Sequence, residues 1–507
     1  MQKLVLTILD GVGIREDSDG NAFKNANKPT LDMLFKTYPH SILQASGPYV
    51  GLPVGQMGTS EVGHMNIGAG RIAMQPLEAI NASIEDNSFY SNKEILEVIN
   101  HVKTNNSNLH IFGLLSDGGV HSHINHAISL LKMCKNNNLE NVYFDICLDG
   151  RDTYEKSALN YLDILDKAIK EIGIGSINVI GGRYYGMDRD NNFDRLKLFY
   201  DALVYGIGKK YNNYQDLINE SYNKGIYDEF VIPGIITNKP LNDNDGIITF
   251  NFRKDRIREM FTLLSNPNKY ENMANQKELN IKHFNNLKVL TMYPVTETVI
   301  CPHAFNDLNL KNILVDYLHN NHISQLRIAE TEKYPHVTFF FDGGKEIEYD
   351  DMKKILIPSP KVATYDLKPE MSVYEVTDEF LNNVDNYDIT IMNLANGDMV
   401  GHTGNYEAAI KAVEHMDKCL KKIYDKVIKL NGILVIIADH GNCDMMWDRN
   451  HLPVTSHTTN PVPCLVTKKD INLKNGKLAD VAPTMLDLLN IDIPKEMTGE
   501  SLIVPKL

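Results

Sequence analysis

Three hydrophobic runs along the chain each end in an acidic residue close to glycine. They are KLVLTILDG at 3–11, ITIMNLANGDMVG at 389–401 and GILVIIADHG at 432–441. Runs of Ile, Leu and Val without polar alternation are typical of strands covered on both faces, as in a parallel sheet. Because ligands bind beyond the carboxyl ends of such strands, we expect Asp10, Asp398 and Asp439 to share one site.

Imidazole side chains accompany two of these acids. His440 follows Asp439 directly, His402 lies four residues after Asp398, and His457 stands in a loop rich in proline and threonine. A helical turn or tight loop would aim Asp398 and His402 at one point. A single histidine is usually a surface or packing residue, and Asp-His-Gly is equally consistent with a structural turn. Three acids and three imidazoles at one sheet edge instead predict two divalent metal ions.

A glycine-rich stretch at residues 48–71 changes to a helical pattern at Thr59 and Ser60. Ser60 is therefore expected near a helix N-terminus, where backbone amides and the helix dipole favour an alkoxide or a phosphate group. A plain N-cap is the commoner role for Thr59 or Ser60. Beside two metal ions, however, a serine hydroxyl is activated as a nucleophile. His64, one turn later, fits a packing role as well as a functional one.

After residue 76, a second set of predicted strands ends in cationic side chains. These strands alternate with segments of helical apolar spacing, such as residues 125–135 and 156–172, which indicates a second α/β sheet. The charged residues that follow the strands are His121, Arg151, Asp152, Arg183, Arg189, Arg253 and Arg256. One such arginine alone is usually a solvated surface charge. Five arginines at neighbouring strand ends predict a pocket for phosphate and carboxylate groups, which guanidinium forks suit.

The order of the two strand sets predicts a discontinuous domain. Acid-ended strands occur before the cation-ended set and return after it, so we predict a first domain of residues 1–75 and 303–507 and an inserted domain of residues 76–302. The apolar run at 337–341 is predicted to be a further strand of the first domain.

Composition sets limits on partners and location. Of 507 residues, 43% are hydrophobic and 23% charged, which is typical of a globular protein. The formal net charge of -14 argues against a nucleic-acid partner, which requires a cationic footprint. Apolar stretches are too short for a membrane span, and the 6 cysteines form no Cys-x-x-Cys pair. We therefore expect a cytoplasmic protein with reduced thiols and no membrane partner.

Taken together, the motifs resemble the cofactor-independent phosphoglycerate mutases of the alkaline phosphatase-like superfamily. In chain order the resemblance is carried by LDGVGIRE, GQMGTSEVGHMNIGAGR, SDGGVHSH, DGRDT, GGRYYGMDRD, NFRKDR, AETEKYPHVTFFF, SPKVATYD, DMVGHTG, ADHGN and SHTTNPVP. It covers essentially the whole chain. It implies an α/β, alkaline phosphatase-like metal-binding domain with an inserted α/β substrate-binding domain.

The resemblance also implies roles for individual residues. One metal ion would be held by Asp10, Ser60, Asp439 and His440, and the other by Asp398, His402 and His457. Manganese is expected, although imidazole and carboxylate ligands also suit Mg2+, Co2+ or Zn2+. Ser60 would carry the phosphoryl group, Asp152 would act as general acid and base, and Lys333 would stabilise the group in transfer. The phosphoglycerate would be bound by His121, Arg151, Asp152, Arg183, Arg189, Arg253, Arg256 and Lys333.

The implied activity is the interconversion of 3-phosphoglycerate and 2-phosphoglycerate in glycolysis and gluconeogenesis. It would proceed through a phosphoserine, without 2,3-bisphosphoglycerate, in a monomer. The chain departs from the family pattern at Thr59, where Asn is usual, at Gly397, where Pro is usual, and at Pro335, where Ala is usual. None of these changes removes a candidate ligand.

Three other functions remain open at the level of sequence. A phosphomonoesterase of the same superfamily would use the same metals and Ser60, but it has no need for an arginine-rich insert with its own acid. A phosphopentomutase shares the metal domain, but the DGRD and GGRYYGMDRD segments argue against it. A non-catalytic phosphate- or metal-binding protein has little reason to place a hydroxyl nucleophile beside two metals.

Overall fold

A computed structural model describes residues 2–270, 279–308 and 310–505. The chain divides into two compact units, the first formed by Met1–Gln75 and Leu308–Leu507 and the second by Pro76–Asp307. Both units are built from helices and largely parallel sheets, so the predicted α/β class is confirmed. Among the described residues, no helix has the length and apolar character that crossing a membrane requires.

The strands in chain order are β1 (Leu4–Leu9), β2 (His40–Gln44), β3 (Leu109–Leu114), β4 (Val142–Leu148), β5 (Ser176–Gly182), β6 (Lys209–Lys210), β7 (Gly234–Ile235), β8 (Gly246–Thr249), β9 (Lys288–Leu290), β10 (Gln325–Glu330), β11 (Met352–Ile357), β12 (Ile389–Leu394), β13 (Ile433–Ile437), β14 (Val462–Val466), β15 (Ile471–Leu473), β16 (Gly476–Lys477) and β17 (Ile503–Pro505).

The α-helices are α1 (Ala22–Asn25), α2 (Pro29–Thr37), α3 (Ser60–Ala69), α4 (Pro76–Glu85), α5 (Lys93–Asn105), α6 (Ile124–Asn136), α7 (Ala158–Ile172), α8 (Arg183–Gly186), α9 (Phe193–Tyr205), α10 (Tyr214–Asn223), α11 (Arg258–Ser265), α12 (Leu314–Asn320), α13 (Val373–Asn383), α14 (Asn396–Gly401), α15 (Tyr406–Lys429) and α16 (Val481–Leu488).

The first unit contains an eight-stranded sheet of order β11-β10-β12-β1-β13-β14-β2-β16. Its central strands β10, β12, β1 and β13 pair in parallel, while β14 is antiparallel to both of its neighbours. Every residue of β1, β12 and β13 is buried, which explains their unbroken apolar sequences. The parallel register therefore brings the carboxyl ends of β12, β1 and β13 to one edge of the sheet.

The second unit contains a seven-stranded sheet of order β6-β7-β5-β4-β3-β8-β9. The strands β5, β4, β3, β8 and β9 pair in parallel, and β7 is antiparallel to β5. Amphipathic helices bury their apolar stripes against this sheet, among them α5 and α7. The loops that follow β3, β4, β5 and β8 thus leave the sheet side by side.

The predicted strand at residues 337–341 is wrong, because this segment is helical. A π-helical turn spans His336–Phe340, and Phe341 N donates to His336 O at 3.1 Å. Pro335 before it has φ -60 and ψ -27, which is helical backbone. Val337 and Phe341 are fully buried, whereas Phe339 and Phe340 are half-buried, so the burial follows a helical and not an alternating period.

Candidate active site

The three acids that end the central strands of the first unit converge. Asp10 follows β1, Asp398 lies in α14 just after β12, and Asp439 follows β13, and all three are buried. His440 Nε2 lies 3.5 Å from Asp10 Oδ1, 3.5 Å from Asp439 Oδ2 and 3.9 Å from Asp398 Oδ1. Four of the predicted site residues therefore surround one point at the edge of the sheet.

His402 and His457 form a second group with Asp398. Their Nε2 atoms lie 3.1 Å apart, and Asp398 Oδ1 is 3.1 Å from the first and 3.2 Å from the second. The Nδ1 atom of His402 is 2.7 Å from Thr455 O and that of His457 is 2.7 Å from Gly58 O. Because a carbonyl oxygen only accepts, both Nδ1 atoms carry hydrogen, and neutral rings present their Nε2 lone pairs to the carboxylate.

This convergence of lone pairs requires a positive charge, and a divalent cation fits it. The hydrogen bond to Asp398 stabilises the charged form of His402 and raises its pKa. Burial opposes a charge on His457, but its hydrogen bond to Asp398 outweighs burial and raises its pKa as well. Two imidazole nitrogens and one carboxylate oxygen are a common ligand set for a transition metal.

Ser60 is the first residue of α3, and its side chain points toward Asp10 and His440. Thr59 is the N-cap, and its hydroxyl accepts a hydrogen bond from Val62 N at 3.3 Å. Ser60 Oγ lies 2.9 Å from His440 Nε2 and 3.3 Å from Asp10 Oδ1. The N-cap and the predicted nucleophile are thus neighbouring residues, and the Ser60 hydroxyl lies among candidate ligands instead of capping the helix.

Lys333 places an ammonium group at the centre of these acids. Its Nζ donates to Asp398 Oδ2 at 2.6 Å, Ser60 Oγ at 2.7 Å and Asp10 Oδ1 at 2.8 Å. Burial opposes the charge on Lys333, but Asp10 and Asp398 reverse that effect and hold its pKa above the usual value. Because three buried carboxylates face this one ammonium, the site keeps a surplus of negative charge that metal cations fit.

The ligand atoms are close enough to hold metal ions. They form three groups, Asp398 with His402 and His457, Asp10 with His64 and Asp439, and Asp10 with Asp398 and His440, each within 4.8 Å. Asp439 Oδ2 accepts no hydrogen bond although it is buried, which leaves a carboxylate oxygen available as a ligand. These clustered carboxylates and imidazoles therefore support divalent metal binding at this edge of the sheet.

In the second unit, Arg183 joins the residues that end three neighbouring strands. Its Nη1 donates to Asp152 Oδ2 at 2.6 Å and Asp149 Oδ1 at 2.7 Å, and its Nη2 lies 2.9 Å from His121 Nε2. Burial lowers the pKa of His121 to about 4, and the charge of Arg183 acts in the same direction. His121 is therefore neutral at physiological pH, and its Nε2 accepts from Arg183.

A second acid gathers the arginines of the neighbouring loops. Asp255 Oδ2 accepts from Arg189 Nη1 at 3.1 Å, and its Oδ1 lies 3.4 Å from Arg253 Nε. Burial lowers the pKa of Arg256, and the charges of Arg183 and Arg189 lower it further, so these guanidinium groups share one region. The forks of Arg189 and Arg253 are about half exposed, 46% and 53%, and remain available to an anion.

Arg151 lies at the margin of this cluster. Its side chain is exposed, and Nη1 is 3.4 Å from Glu229 Oε1. Its charge is nevertheless near enough to lower the pKa of Arg256, after burial and the charges of Arg183 and Arg189. The structure thus brings together all seven side chains that the sequence predicted for the phosphate and carboxylate pocket, with Asp152 among them.

Sequence reasoning missed several polar residues that hold these groups in place. In the second unit they are Asp149, Glu229 and Asp255; in the first unit they are Asn393 and Asn442. His64 was noted in the sequence, but its role was left open between packing and function. Asn442 Nδ2 donates to Asp398 Oδ1 at 2.7 Å. Asp149, Asp255 and Asn442 lie within the quoted motifs, so their proximity to the predicted residues was a usable signal. Asn393 lies inside a strand sequence that gave no such signal.

The chain is similar to one protein family and to several solved structures. A sequence model of the metalloenzyme superfamily matches residues 2–493. The crystal structure of Leishmania mexicana phosphoglycerate mutase at low cobalt concentration is 27% identical with a TM-score of 0.62, and the alignment covers 100% of this chain and 98% of that chain. The PH0037 protein of Pyrococcus horikoshii is 12% identical with a TM-score of 0.37, over 97% of this chain and 98% of that chain.

The alkaline phosphatase of the Antarctic bacterium TAB5 is 9% identical with a TM-score of 0.27, over 97% of this chain and 99% of that chain. The family match extends over almost the whole chain and agrees with its clustered metal-ligand side chains. The chain therefore belongs to the metalloenzyme superfamily, whose alkaline phosphatase-like members its motifs resemble.

Proposed function

We propose that this metalloenzyme is a phosphoglycerate mutase that interconverts 3-phosphoglycerate and 2-phosphoglycerate through a phosphoserine at Ser60. We further propose that the enzyme is a cytoplasmic monomer that acts in glycolysis and gluconeogenesis. It would not need 2,3-bisphosphoglycerate. The observation that carries it is the cluster of Arg183, His121 and Asp152 in the second unit. A phosphatase needs a nucleophile and metals, whereas a mutase must also retain glycerate and move a proton on it twice.

In the first half of the proposed reaction, the arginines bind the substrate carboxylate and phosphate through charge-assisted hydrogen bonds. Ser60 reacts as the alkoxide: its Oγ forms a bond to phosphorus while the bond from phosphorus to the glycerate oxygen breaks, and the return step regenerates the alkoxide. Asp152 is the general acid that delivers a proton to the departing oxygen. Lys333 Nζ lies 2.7 Å from Ser60 Oγ. It donates a hydrogen bond to this serine oxygen and stabilises the negative charge on it.

In the second half, the glycerate stays bound by its carboxylate and presents its other hydroxyl group. Asp152 removes the proton from this hydroxyl, and the oxygen takes the phosphoryl group back from Ser60. The proposed reaction therefore uses Ser60 of the first unit and the glycerate-binding residues of the second. It also requires exclusion of water, because hydrolysis of the phosphoserine would release inorganic phosphate.

The residues that would hold two divalent ions are the two sets predicted from sequence. They are Asp10, Ser60, Asp439 and His440 for one ion and Asp398, His402 and His457 for the other. When bound, the ions supply positive charge that lowers the pKa of the serine hydroxyl and balances the phosphoryl oxygens. We propose Mn2+, which the family resemblance implies; mixed carboxylate and imidazole ligands suit it as well as Mg2+, Co2+ or Zn2+.

The proposal is tested with metal-depleted protein to which Mn2+ is returned. Each phosphoglycerate isomer is supplied without 2,3-bisphosphoglycerate, and the other isomer, inorganic phosphate and phosphoserine are measured. Ser60→Ala should abolish both isomer formation and phosphoserine. The matched control is Ser129→Ala in α6, since both serines are 4% exposed but Ser129 lies in the second unit's helical layer. The control should keep full activity.

The retention of glycerate separates the mutase from a phosphatase. With excess labelled glycerate in solution, little label should enter the product, because the original glycerate remains bound. Asp152→Asn should slow both directions of the reaction, since one group serves both proton transfers. Release of phosphate at the rate of isomer formation, or near-normal mutase activity in Ser60→Ala, would establish a hydrolase or another nucleophile instead.

A further inference from the structure

His64 lies one turn after Ser60 in α3 and is completely buried, as is Asn393 of β12. His64 Nδ1 is 2.8 Å from Ser60 O and 3.3 Å from Asp439 Oδ2. On the other side of the ring, His64 Nε2 is 3.1 Å from Asn393 Nδ2, and the same amide nitrogen is 2.6 Å from Asp10 Oδ2. Two residues outside the predicted ligand sets thus connect three members of one set.

The acceptors in this chain fix the direction of every hydrogen bond. Asp10 is a carboxylate and only accepts, so the Asn393 atom that faces it must be the amide nitrogen. That nitrogen has a second hydrogen, which it donates to His64 Nε2. His64 Nδ1 faces a carbonyl oxygen and a carboxylate oxygen, so it must carry the ring hydrogen. The hydrogen bonds therefore run from Asn393 to both Asp10 and His64 and from His64 to Ser60 O, and His64 Nδ1 also lies 3.3 Å from Asp439 Oδ2.

This arrangement argues against His64 as a metal ligand, although its nearest ring nitrogen lies within 4.8 Å of ligand atoms of Asp10 and Asp439. A ligating imidazole needs one nitrogen with a free lone pair directed at the metal. In His64, one nitrogen carries hydrogen and the lone pair of the other accepts from Asn393. Its neighbours are instead arranged as hydrogen-bond partners that orient ligands, as is common behind metal sites.

We propose that His64 and Asn393 are positioning residues that hold Asp10, Asp439 and the start of α3 in the geometry of the Ser60-containing metal site. Asn393 orients the Asp10 carboxylate, and His64 orients the Asp439 carboxylate while it ties Ser60 to the same frame through the backbone carbonyl. The inference rests on the ligand set of the proposed function. The other set, Asp398, His402 and His457, is held by carbonyl oxygens of Thr455 and Gly58 and does not depend on this chain.

The test is a titration of the full-length, metal-depleted protein with Co2+ alone, followed by calorimetry and by the visible absorption of the bound ion. Asn393→Leu removes both amide donors, and His64→Phe removes both ring contacts. We expect each to weaken one of two Co2+ sites by about 10- to 100-fold and to change its spectrum, with the second site unchanged. His64→Asn keeps a donor near Ser60 O and should restore part of the loss.

The matched control is His336→Phe. The His336 ring lies 5.6 Å from the His64 ring, but its buried Nδ1 makes no hydrogen bond within the described residues. Its substitution should leave both Co2+ sites intact. His64 and Asn393 act through one hydrogen-bonded chain. The double variant of Asn393→Leu and His64→Phe should therefore lose little more Co2+ affinity than the single variant that binds Co2+ less tightly.

The outcomes separate this inference from the proposed function. If the wild-type protein binds no Co2+, the ligand sets and the proposed function fail. If it binds two ions and the variants bind both as tightly, the positioning role is wrong while the proposed function stands. Equal weakening of both sites, or a loss in His64→Phe with none in Asn393→Leu, also overturns it. Thermal unfolding of each metal-free variant identifies one that does not fold, and the other variants then carry the test.

Discussion

At the scale of single residues, the pocket of the second unit contains one buried arginine and several partly exposed ones. Arg183 is 1% exposed, and two carboxylates accept from its Nη1. Burial alone would lower its pKa, but the hydrogen bond to Asp152 and the charge of Asp149 raise it. Removing a partner from such a buried pair typically costs about 3–5 kcal/mol of stability. Variants of the more exposed arginines therefore test binding with less effect on folding.

Arg253 is the most suitable of these exposed arginines. Arg253→Lys keeps the charge but loses the planar fork that binds two oxygens at once. We expect kcat/KM for phosphoglycerate to fall by about 1–3 kcal/mol of transition-state stabilisation, the scale of one charged hydrogen bond. Steady-state kinetics and metal analysis check this, and the metal content should not change. Lys254→Ala, which removes a neighbouring cation paired with Asp307, is the control. An unchanged kcat/KM in Arg253→Lys would make it a plain surface charge.

His126 is expected to make the stability of the second unit depend on pH. Burial lowers its pKa to about 3, and the neighbouring His123 acts in the same direction. The unfolded chain binds a proton near pH 6.5 that the folded chain refuses, so stability is complete above that pH and is lost as pH falls toward 3. Between pH 6.5 and pH 5 the loss should be about 2 kcal/mol.

Urea unfolding of wild type and His126→Gln at both pH values measures this contribution. His126 Nε2 pairs with Asn81 Oδ1, and a glutamine amide can replace that donor. The variant should lose about 2 kcal/mol less stability than wild type on acidification. His303→Gln is the control, since His303 also pairs with an asparagine oxygen but lies nearer the surface. Identical pH dependence in all three proteins would contradict the role of His126.

The residues at strand ends were predictable because two simple signals coincided. Asp10, Asp398 and Asp439 follow long apolar runs, and parallel strands bring such ends together. Asn393 could not be predicted, because it lies within an apolar strand and only the pairing of β12 with β1 brings it close to Asp10. Asp255 lies between Arg253 and Arg256 in the sequence, where an acidic residue suggests local charge balance. Its pairing with Arg189 from another loop could not be predicted.

At the scale of elements, α3 is held in place by two close backbone approaches. A Cβ atom on Gly63 would lie 2.9 Å from Asp439 O, and one on Gly68 would lie 2.0 Å from Phe341 O. The first approach brings α3 against the end of β13, and the second brings it against the turn that follows Lys333. These two contacts explain how Ser60 at the start of α3 comes within 2.7 Å of Lys333 Nζ.

Gly68→Ala should therefore destabilise the protein although alanine favours helices. Alanine gains about 1 kcal/mol in helix propensity over glycine. Against this, the added methyl group would displace α3 or the Phe341 carbonyl, and overpacking typically costs about 1–3 kcal/mol. We expect a net loss of unfolding free energy and a lower kcat, measured by urea unfolding and the mutase assay. Gly208→Ala, whose new methyl group meets only ordinary contacts from 3.4 Å, is the control. A more stable Gly68→Ala would disprove the close approach.

Element types were predictable where period and length agreed, and the exception has a physical cause. The helical spacing at 125–135 and 156–172 predicted helices that the structure has at Ile124–Asn136 and Ala158–Ile172. The run at 337–341 was predicted as a strand because it is short and apolar. Tertiary packing overrides that pattern: Val337 and Phe341 enter the core, whereas Phe339, which a strand would place on the same face, is only half-buried.

At the scale of the whole molecule, the candidate metal site is assembled from remote parts of the chain. Asp10 and Ser60 precede the second unit in sequence, whereas Lys333, Asp398, His402, Asp439, His440 and His457 follow it. The sheet order β12-β1-β13 makes these parts neighbours, because the N-terminal strand lies between two strands from the later segment. Metal binding should consequently stabilise both segments of the first unit together.

Hydrogen exchange followed by mass spectrometry measures this expectation. Mn2+ at a hundredfold excess over its Kd stabilises the folded state by about 2.7 kcal/mol if it binds only that state. We expect amide exchange to slow most in residues 2–75 and 310–505, above all in α3 and in the segments that carry the candidate ligands. With 3-phosphoglycerate and no metal, exchange should slow most around residues 116–123, 149–152 and 183–189, where the pocket of the second unit lies.

The variant Asp398→Asn is the control for the metal arm, because it weakens a carboxylate ligand while it keeps the size of the side chain. In this variant, Mn2+ should protect the segment around His402 and His457 less than in wild type, whereas phosphoglycerate should protect the second unit as before. Strongest metal protection within residues 76–307 would contradict the assignment of metal and substrate to different units. Protection of only one segment of the first unit would contradict a single site built from both, because ligands that bind one ion must be stabilised together.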